Sequence, residues 1–180
     1  MIKKIGLFFL CFPLVMFVIE TLFFIIGWYV NCFAFIFAFI LVIGYILRNT
    51  SKNICLKSIC WFVGITLASI FIGANVYDAS YDGQWYHSSI IKLMNDGWNP
   101  FYHPILQQDE VPYYTNTHIW VSHYAKGMET IEAGIVALTG NLESGKTLNI
   151  FLAVSLLLYC SVHLKQNYLL CCSVHLKQNY

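Results

Sequence analysis

The sequence predicts an all-α, multi-pass membrane fold with about four transmembrane helices and an extracytoplasmic cap of short amphipathic helices. Three observations carry that expectation. Of 180 residues, 58% are hydrophobic and only 11% charged, where a soluble domain carries about 25% charged residues. The apolar residues fall into long runs, and mean hydropathy is +0.63. The basic residues gather beside those runs, whereas the acidic ones gather in one polar segment. This composition excludes disorder, a nucleic-acid-binding domain and an ordinary soluble enzyme. A net charge of +1 gives no long-range attraction toward nucleic acid, so none is expected as a partner. The lipid bilayer is.

From position 5 to 47 the one charged residue is Glu20. A bilayer core of about 30 Å needs roughly 20 helical residues, so this stretch holds two spans and a tight reversal. Gly27, Trp28, Tyr29 and Asn31 mark the break, because aromatic and small polar residues favour the interface. The spans are expected at 5–27, 32–47, 58–76 and 148–163. Residues 1–76 thus hold three spans, 77–147 an external segment and 148–163 the fourth. Glu20 lies inside the first span, where ionisable groups are costly. A protonated or interhelically bonded carboxyl is the plain reading, and a proton or acceptor path the functional one.

Lys3, Lys4, Arg48, Lys52, Lys57, Lys165 and Lys177 all fall on one side of the membrane if the chain crosses four times. By the positive-inside rule that side is the cytoplasm. The N-terminus is therefore expected to be cytoplasmic, and the chain to lie in the cytoplasmic (inner) membrane. Segment 77–147 holds three basic and eight acidic residues, a formal charge of −5, and is expected outside. Lys3 and Lys4 before an apolar run also fit a signal peptide. No small-x-small cleavage site follows, and the first alanine is Ala34, so an uncleaved anchor is the expectation. None of the seven cysteines lies in the external segment, and no disulfide framework is expected there. Cys55 and Cys60 have no further ligands at zinc spacing, so packing is their expected role.

Residues 157–168 and 169–180 match at eleven of twelve positions. Architectural repeats are longer, about 20–50 residues. The duplicate is expected to be a recent DNA duplication or a shifted frame in a truncated gene. His163 and His175 repeat with the unit and receive no role.

The external segment carries the chemistry. Asp78 and Asp82 are four residues apart, a spacing that one helical turn places on one face. His87 follows, with Gly83 between as a flexible point. Ile90, Ile91, Leu93 and Met94 suit a short amphipathic helix lying on the membrane, ended by Gly97. Trp98, Phe101 and Tyr102 around Pro100 and Pro104 read as an interfacial loop. Pro112, Tyr113 and Tyr114 belong to a further polar and aromatic stretch. His118, His123 and Lys126 come next, then a second amphipathic helix over 128–139 containing Glu129 and Glu132.

The strings YDGQWYH, GWNPFYHP, WVSHYAKG and TGNLESGKTLN, in that order, resemble the N-terminal part of bacterial multi-pass membrane glycosyltransferases of the GT-C superfamily. Those proteins have a first large external loop with two juxtamembrane helices and an aspartate close to a membrane exit. This chain differs in placing its aspartate after the third span, where many members have it after the first, and in having fewer spans. The resemblance implies transfer of a sugar from a polyprenyl phosphate to a lipid or polysaccharide acceptor. It implies Asp82 as the base that takes the acceptor hydroxyl proton. A carboxylate of reference pKa about 3.9 is a weak base unless burial or a neighbour raises it. Asp78 can supply that neighbouring charge, or the two can share a divalent cation. His87, His123 or Lys126 can stabilise the leaving phosphate. The plain reading of both aspartates is helix capping. That of the other three is interfacial packing or solvation.

Residues 140–147, GNLESGKT, match the P-loop pattern letter for letter. A working P-loop needs a strand before it, a soluble helix after it and a downstream aspartate for magnesium. Here a membrane span follows, no acidic residue occurs after Glu143, and Glu143 would face the phosphates. A turn at Gly140 and Asn141 that starts the fourth span is expected instead. The sequence thus points to a fragment of a lipid-linked-sugar glycosyltransferase, inactive without further spans. The rivals are a small non-enzymatic membrane protein whose external segment binds a partner, and a fragment of a polysaccharide polymerase or transporter.

Overall fold

The structure is a computed structural model that describes residues 2–49, 51–111 and 117–178, with the backbone alone for residues 2–4, 52, 53, 163 and 165–178. Pro112, Tyr113 and Tyr114 lie outside the described residues. So do the side chains of Lys3, Lys4, Lys52, Lys165, Lys177, His163 and His175. The described residues form helices and loops with no strand. In order these are α1 (Ile2–Ile25), α2 (Cys32–Asn49), α3 (Lys52–Asn75), α4 (Ser88–Asn95), α5 (Thr117–His123), α6 (Gly127–Thr139) and α7 (Thr147–Gln178). A π-helical turn, Gly83–His87, leads into α4, and short 3₁₀ turns occupy Gln108–Glu110 and Leu142–Lys146.

Four helical stretches are long and apolar enough to cross a membrane: Ile5–Ile25, Cys32–Asn49, Ile54–Asn75 and Leu142–Val162. The chain is therefore a multi-pass membrane protein by length and composition. On α1 the buried positions Ile5, Phe8, Phe9, Phe12 and Met16 face the other spans. Leu7, Leu10, Leu14, Val18 and Leu22 remain exposed on the opposite side. A helix that is apolar all round needs an apolar solvent on its free face.

Phenylalanines from all four spans meet in the bundle. The Phe12 ring lies 5.0 Å from Phe35, 5.8 Å from Phe62 and 5.6 Å from Phe151, each near edge-to-face. Lipid tails are as apolar as these rings, so close packing rather than exclusion of water holds the spans together. Pro13 sits within α1 and removes one backbone donor there.

Span boundaries depart from the sequence expectation. The third span begins several residues before position 58, because Cys55 and Ser58 are buried against the bundle and extend the helix inward. The fourth span begins earlier than position 148 and ends within one residue of 163, at Leu142–Val162, while its helix runs on to Gln178.

Between α3 and α7 the chain builds a cap on one end of the bundle. Helix α4 does not lie on the lipid as expected. Its Ile90, Ile91 and Met94 are buried in a second core with Trp98, Leu106, Val121, Ala133 and Val136. Helix α6 packs against α1, α2 and α4. Its Gly134 faces the fully buried Glu20, whose carboxyl oxygen would stand 2.8 Å from any added Cβ. Neither Glu20 oxygen has a hydrogen-bond partner among the described residues.

The loop after α4 closes the end of α1. Gly97, at φ +104°, turns the chain away from α4. Asn99 Nδ2 then donates to the carbonyls of Phe24, at 3.0 Å, and Trp28, at 2.9 Å. The Tyr102 hydroxyl donates to the Ile25 carbonyl at 2.7 Å. The last carbonyls of a helix have no intrahelical donor, and at a membrane surface an unmet one is expensive. Asn99→Ala is expected to lower stability by about 1–2 kcal/mol, measured as a fall in melting temperature of the detergent-solubilised protein. An unchanged value would show that the loop does not hold α1.

Candidate functional site

A cavity of about 400 Å³ lies where α3 leaves the bundle, lined by residues from the 78–88 stretch, from α6 and from the start of the fourth span. Asp78, Asp82 and His87 all border it, with Glu132, Glu143 and Lys146. Three of the five sequence-derived candidates are thus gathered in one place.

The two aspartates do not share a helical face. Residues 77–80 are not helical, and the helix starts only at Tyr81. Asp78 instead turns the chain: its Oδ1 accepts from the Ser80 N–H at 2.9 Å. The Ser80 N–H and hydroxyl hold the Asp78 carboxyl below the usual carboxylate range, aided by Lys146 and His87. Ser80 Oγ in turn accepts from the Gly83 N–H at 3.1 Å. A side chain at Gly83 would collide with the Asp78 carboxylate, so glycine permits the close approach. The helix that starts at Tyr81 is thus capped by Ser80 and by neither aspartate. Asp82 is exposed, and no side-chain hydrogen bond or ion pair engages its carboxylate among the described residues.

From Gly83 the backbone forms the π turn, and the Ser88 N–H and hydroxyl both donate to the Gly83 carbonyl. Such turns widen the helix and are frequent at functional sites. Here the turn carries His87 to α6. Its Nδ1 lies 2.5 Å from Glu129 Oε1, and the Tyr86 ring stacks against it with centroids 4.2 Å apart. Glu129 is only 3% exposed.

Two further carboxylates and one lysine complete the lining. Lys146 donates to both the Val76 carbonyl and Glu143 Oε2. Glu143 Oε2 also accepts from the Asp78 N–H at 3.1 Å. Glu132, on α6, is pushed up to about 8 by burial first, then by Glu129 and Asp78.

His123 and Lys126 are not part of this cavity. His123 lines a separate surface depression with Trp120 and Tyr124, and its Nδ1 meets the Ile119 carbonyl at 2.9 Å. Lys126 donates to the carbonyls of Ser122, at 3.0 Å, and Tyr124, at 2.8 Å. It therefore serves the C-terminal end of α5, as lysines commonly do, and burial lowers its ammonium below the usual lysine value. Sequence spacing had assigned no role to Glu129, Glu132 or Glu143. Their clue was the placement of Glu129 and Glu132 on a helix otherwise rich in apolar residues.

Among the described residues no three His, Cys, Asp or Glu side chains converge to hold a metal ion. Asp78 and Asp82 are thus joined by no third such side chain among the described residues. The P-loop-like residues form no P-loop. Gly140, at φ +68°, ends α6 with its N–H on the Val136 carbonyl at 2.8 Å. Asn141 caps the following 3₁₀ turn by accepting from the Glu143 N–H at 2.9 Å. Its Nδ2 donates to the Ala74 carbonyl at 3.1 Å, and no strand precedes the segment.

No protein-family model matches the chain, and no curated protein or solved structure does either.

A carboxyl raised in the folded state favours folding while it stays protonated. Glu132's contribution is full below the unfolded value near 4.5 and is lost as pH rises toward about 8. Glu132→Gln is therefore expected to match the wild type near pH 4.5. Above about pH 8 it should melt a few degrees higher, about 2–4 °C for each kcal/mol in a chain of this size. A constant difference at every pH would show that its ionisation is not the cause.

Proposed function

We propose that the chain is part of a membrane glycosyltransferase that moves a sugar from a polyprenyl-phosphate donor to a lipid or polysaccharide acceptor. The reaction is placed on the extracytoplasmic side of the cytoplasmic membrane, with the N-terminus inside. The observation that carries this reading is the cavity at the end of the apolar bundle, with an uncommitted Asp82 carboxylate beside the exit of α3. A lipid-borne donor keeps its tail among the spans and its sugar at the surface, where this cavity lies.

Asp82 takes the proton from the acceptor hydroxyl as that oxygen attacks the anomeric carbon. Its openness supports this role over Asp78, whose carboxyl is committed to Ser80. The other carboxyls of the lining can accept hydrogen bonds from sugar hydroxyls. A second reading, a non-enzymatic membrane protein whose cap binds a partner, draws on the exposed Trp120, Tyr124, Phe101 and Tyr102.

In membranes carrying the full gene product, Asp82→Asn is expected to reduce transfer from a labelled polyprenyl-phosphate sugar about 10²- to 10⁴-fold. Undiminished transfer removes Asp82 from the role of base. A wild-type protein that neither transfers nor binds the donor leaves the partner-binding reading in place.

The orientation has its own test. A cysteine at the exposed position of Asp109 (Asp109→Cys) is expected to react with a membrane-impermeant maleimide in intact cells. Arg48→Cys, at the other end of the bundle, is expected to react only after permeabilisation. The reverse pattern would invert the topology.

A further inference from the structure

A departing polyprenyl phosphate is anionic, and the cavity is rich in carboxyls. Asp78 and Asp82 border it ahead of α4, Glu132 from α6, and Glu143 from the turn before α7. Some group must offer the phosphate a positively polarised hydrogen. Lys146 is taken up by Glu143 and the Val76 carbonyl. Lys126 and His123 lie elsewhere and are bonded to backbone carbonyls. Of the cavity's cationic side chains, His87 is the one left. It is also the one held by a carboxylate from outside the lining.

We propose that His87 receives the leaving phosphate oxygen and that Glu129 is its positioning residue. An ionised Glu129 accepts hydrogen bonds and cannot donate, and in that form the contact at 2.5 Å takes the N–H of His87 Nδ1. Nε2 is then the ring's remaining nitrogen. Glu129 sits on a helix packed into the cap core and is itself buried, and the Tyr86 ring covers one face of the imidazole. The ring orientation is thus set by two elements far apart in the chain.

The proposal rests on the transferase reading and completes its step. The acceptor oxygen bonds to the anomeric carbon, and the bond from that carbon to the phosphate oxygen breaks. The electron pair leaves with the phosphate, and the hydroxyl proton goes to Asp82. The doubly protonated His87 keeps both protons, giving one N–H to Glu129 and the other, as a hydrogen bond, to the phosphate.

The test uses the full gene product in phosphatidylcholine nanodiscs, with farnesyl phosphate as probe and farnesol as the uncharged control. Affinity is measured at one fixed pH. His87→Gln is expected to bind farnesyl phosphate about tenfold more weakly than wild type, the size of one charge-assisted hydrogen bond, with farnesol unchanged. Glu129→Gln leaves the imidazole in place and should also bind farnesyl phosphate more weakly, with Glu129→Asp recovering part of the loss. Equal binding by wild type and His87→Gln overturns the phosphate role and leaves the transferase reading standing. Wild-type affinity for Glu129→Gln overturns the positioning role. No wild-type binding of farnesyl phosphate overturns both the proposal and the reading beneath it. Inorganic phosphate competing as well as farnesyl phosphate overturns the lipid-linked ligand.

Discussion

The packing of Phe12 against Phe35, Phe62 and Phe151 is the interaction on which the rest of the structure depends. It locks one helix to three others and so fixes where each ends. Once α3 and α7 are held side by side, the exit of one and the start of the other become neighbours. Asn141 can then reach the Ala74 carbonyl, and Lys146 the Val76 carbonyl. These bonds close one wall of the cavity. The other wall is α6, which the bundle admits because Gly134 leaves room for Glu20. In a bilayer there is no water to exclude between apolar helices, so fit at such contacts decides the arrangement.

The cavity combines acidity with restraint of its cations. Glu143 serves both the Asp78 N–H and Lys146, so one carboxylate joins the exit of α3 to the turn before α7. The same pairing withdraws the lysine from the cavity. Glu129 and Glu132 stand three residues apart on α6, the near-neighbour spacing of a helix, and take different parts. Glu129 is matched by His87. Glu132 is raised by burial first, then by the neighbouring carboxyls of Glu129 and Asp78. Two carboxyls separated by so little sequence thus differ because their environments differ.

Much of this was legible residue by residue. The spans followed from unbroken apolar length, with some ends off by a few residues, and the two amphipathic cap helices from their spacing, to within a residue of Ser88–Asn95 and Gly127–Thr139. Helix α5 was missed, because seven residues with mixed polarity leave no clear period. The membrane-lying orientation of α4 failed for a related reason. Its apolar stripe is the same whether lipid or protein covers it, and here Ala133 and Val136 of α6 do. The cluster Asp78, Asp82 and His87 was visible because it is local. Yet its spacing suggested a shared helical face that Asp78, turning with Ser80, does not adopt.

By itself the sequence determined the all-α, four-span character, since bilayer thickness translates directly into helix length and apolar composition. It also determined which stretch would hold the polar chemistry, because charge is excluded from the spans. Only the tertiary structure decided which polar groups meet. His87 and Glu129 are 42 positions apart and Asp78 and Glu143 are 65 apart. Such pairs leave no period or spacing in the chain. They arise when helix ends are brought together by packing, and the same packing sends His123 and Lys126 to bond backbone carbonyls outside the cavity.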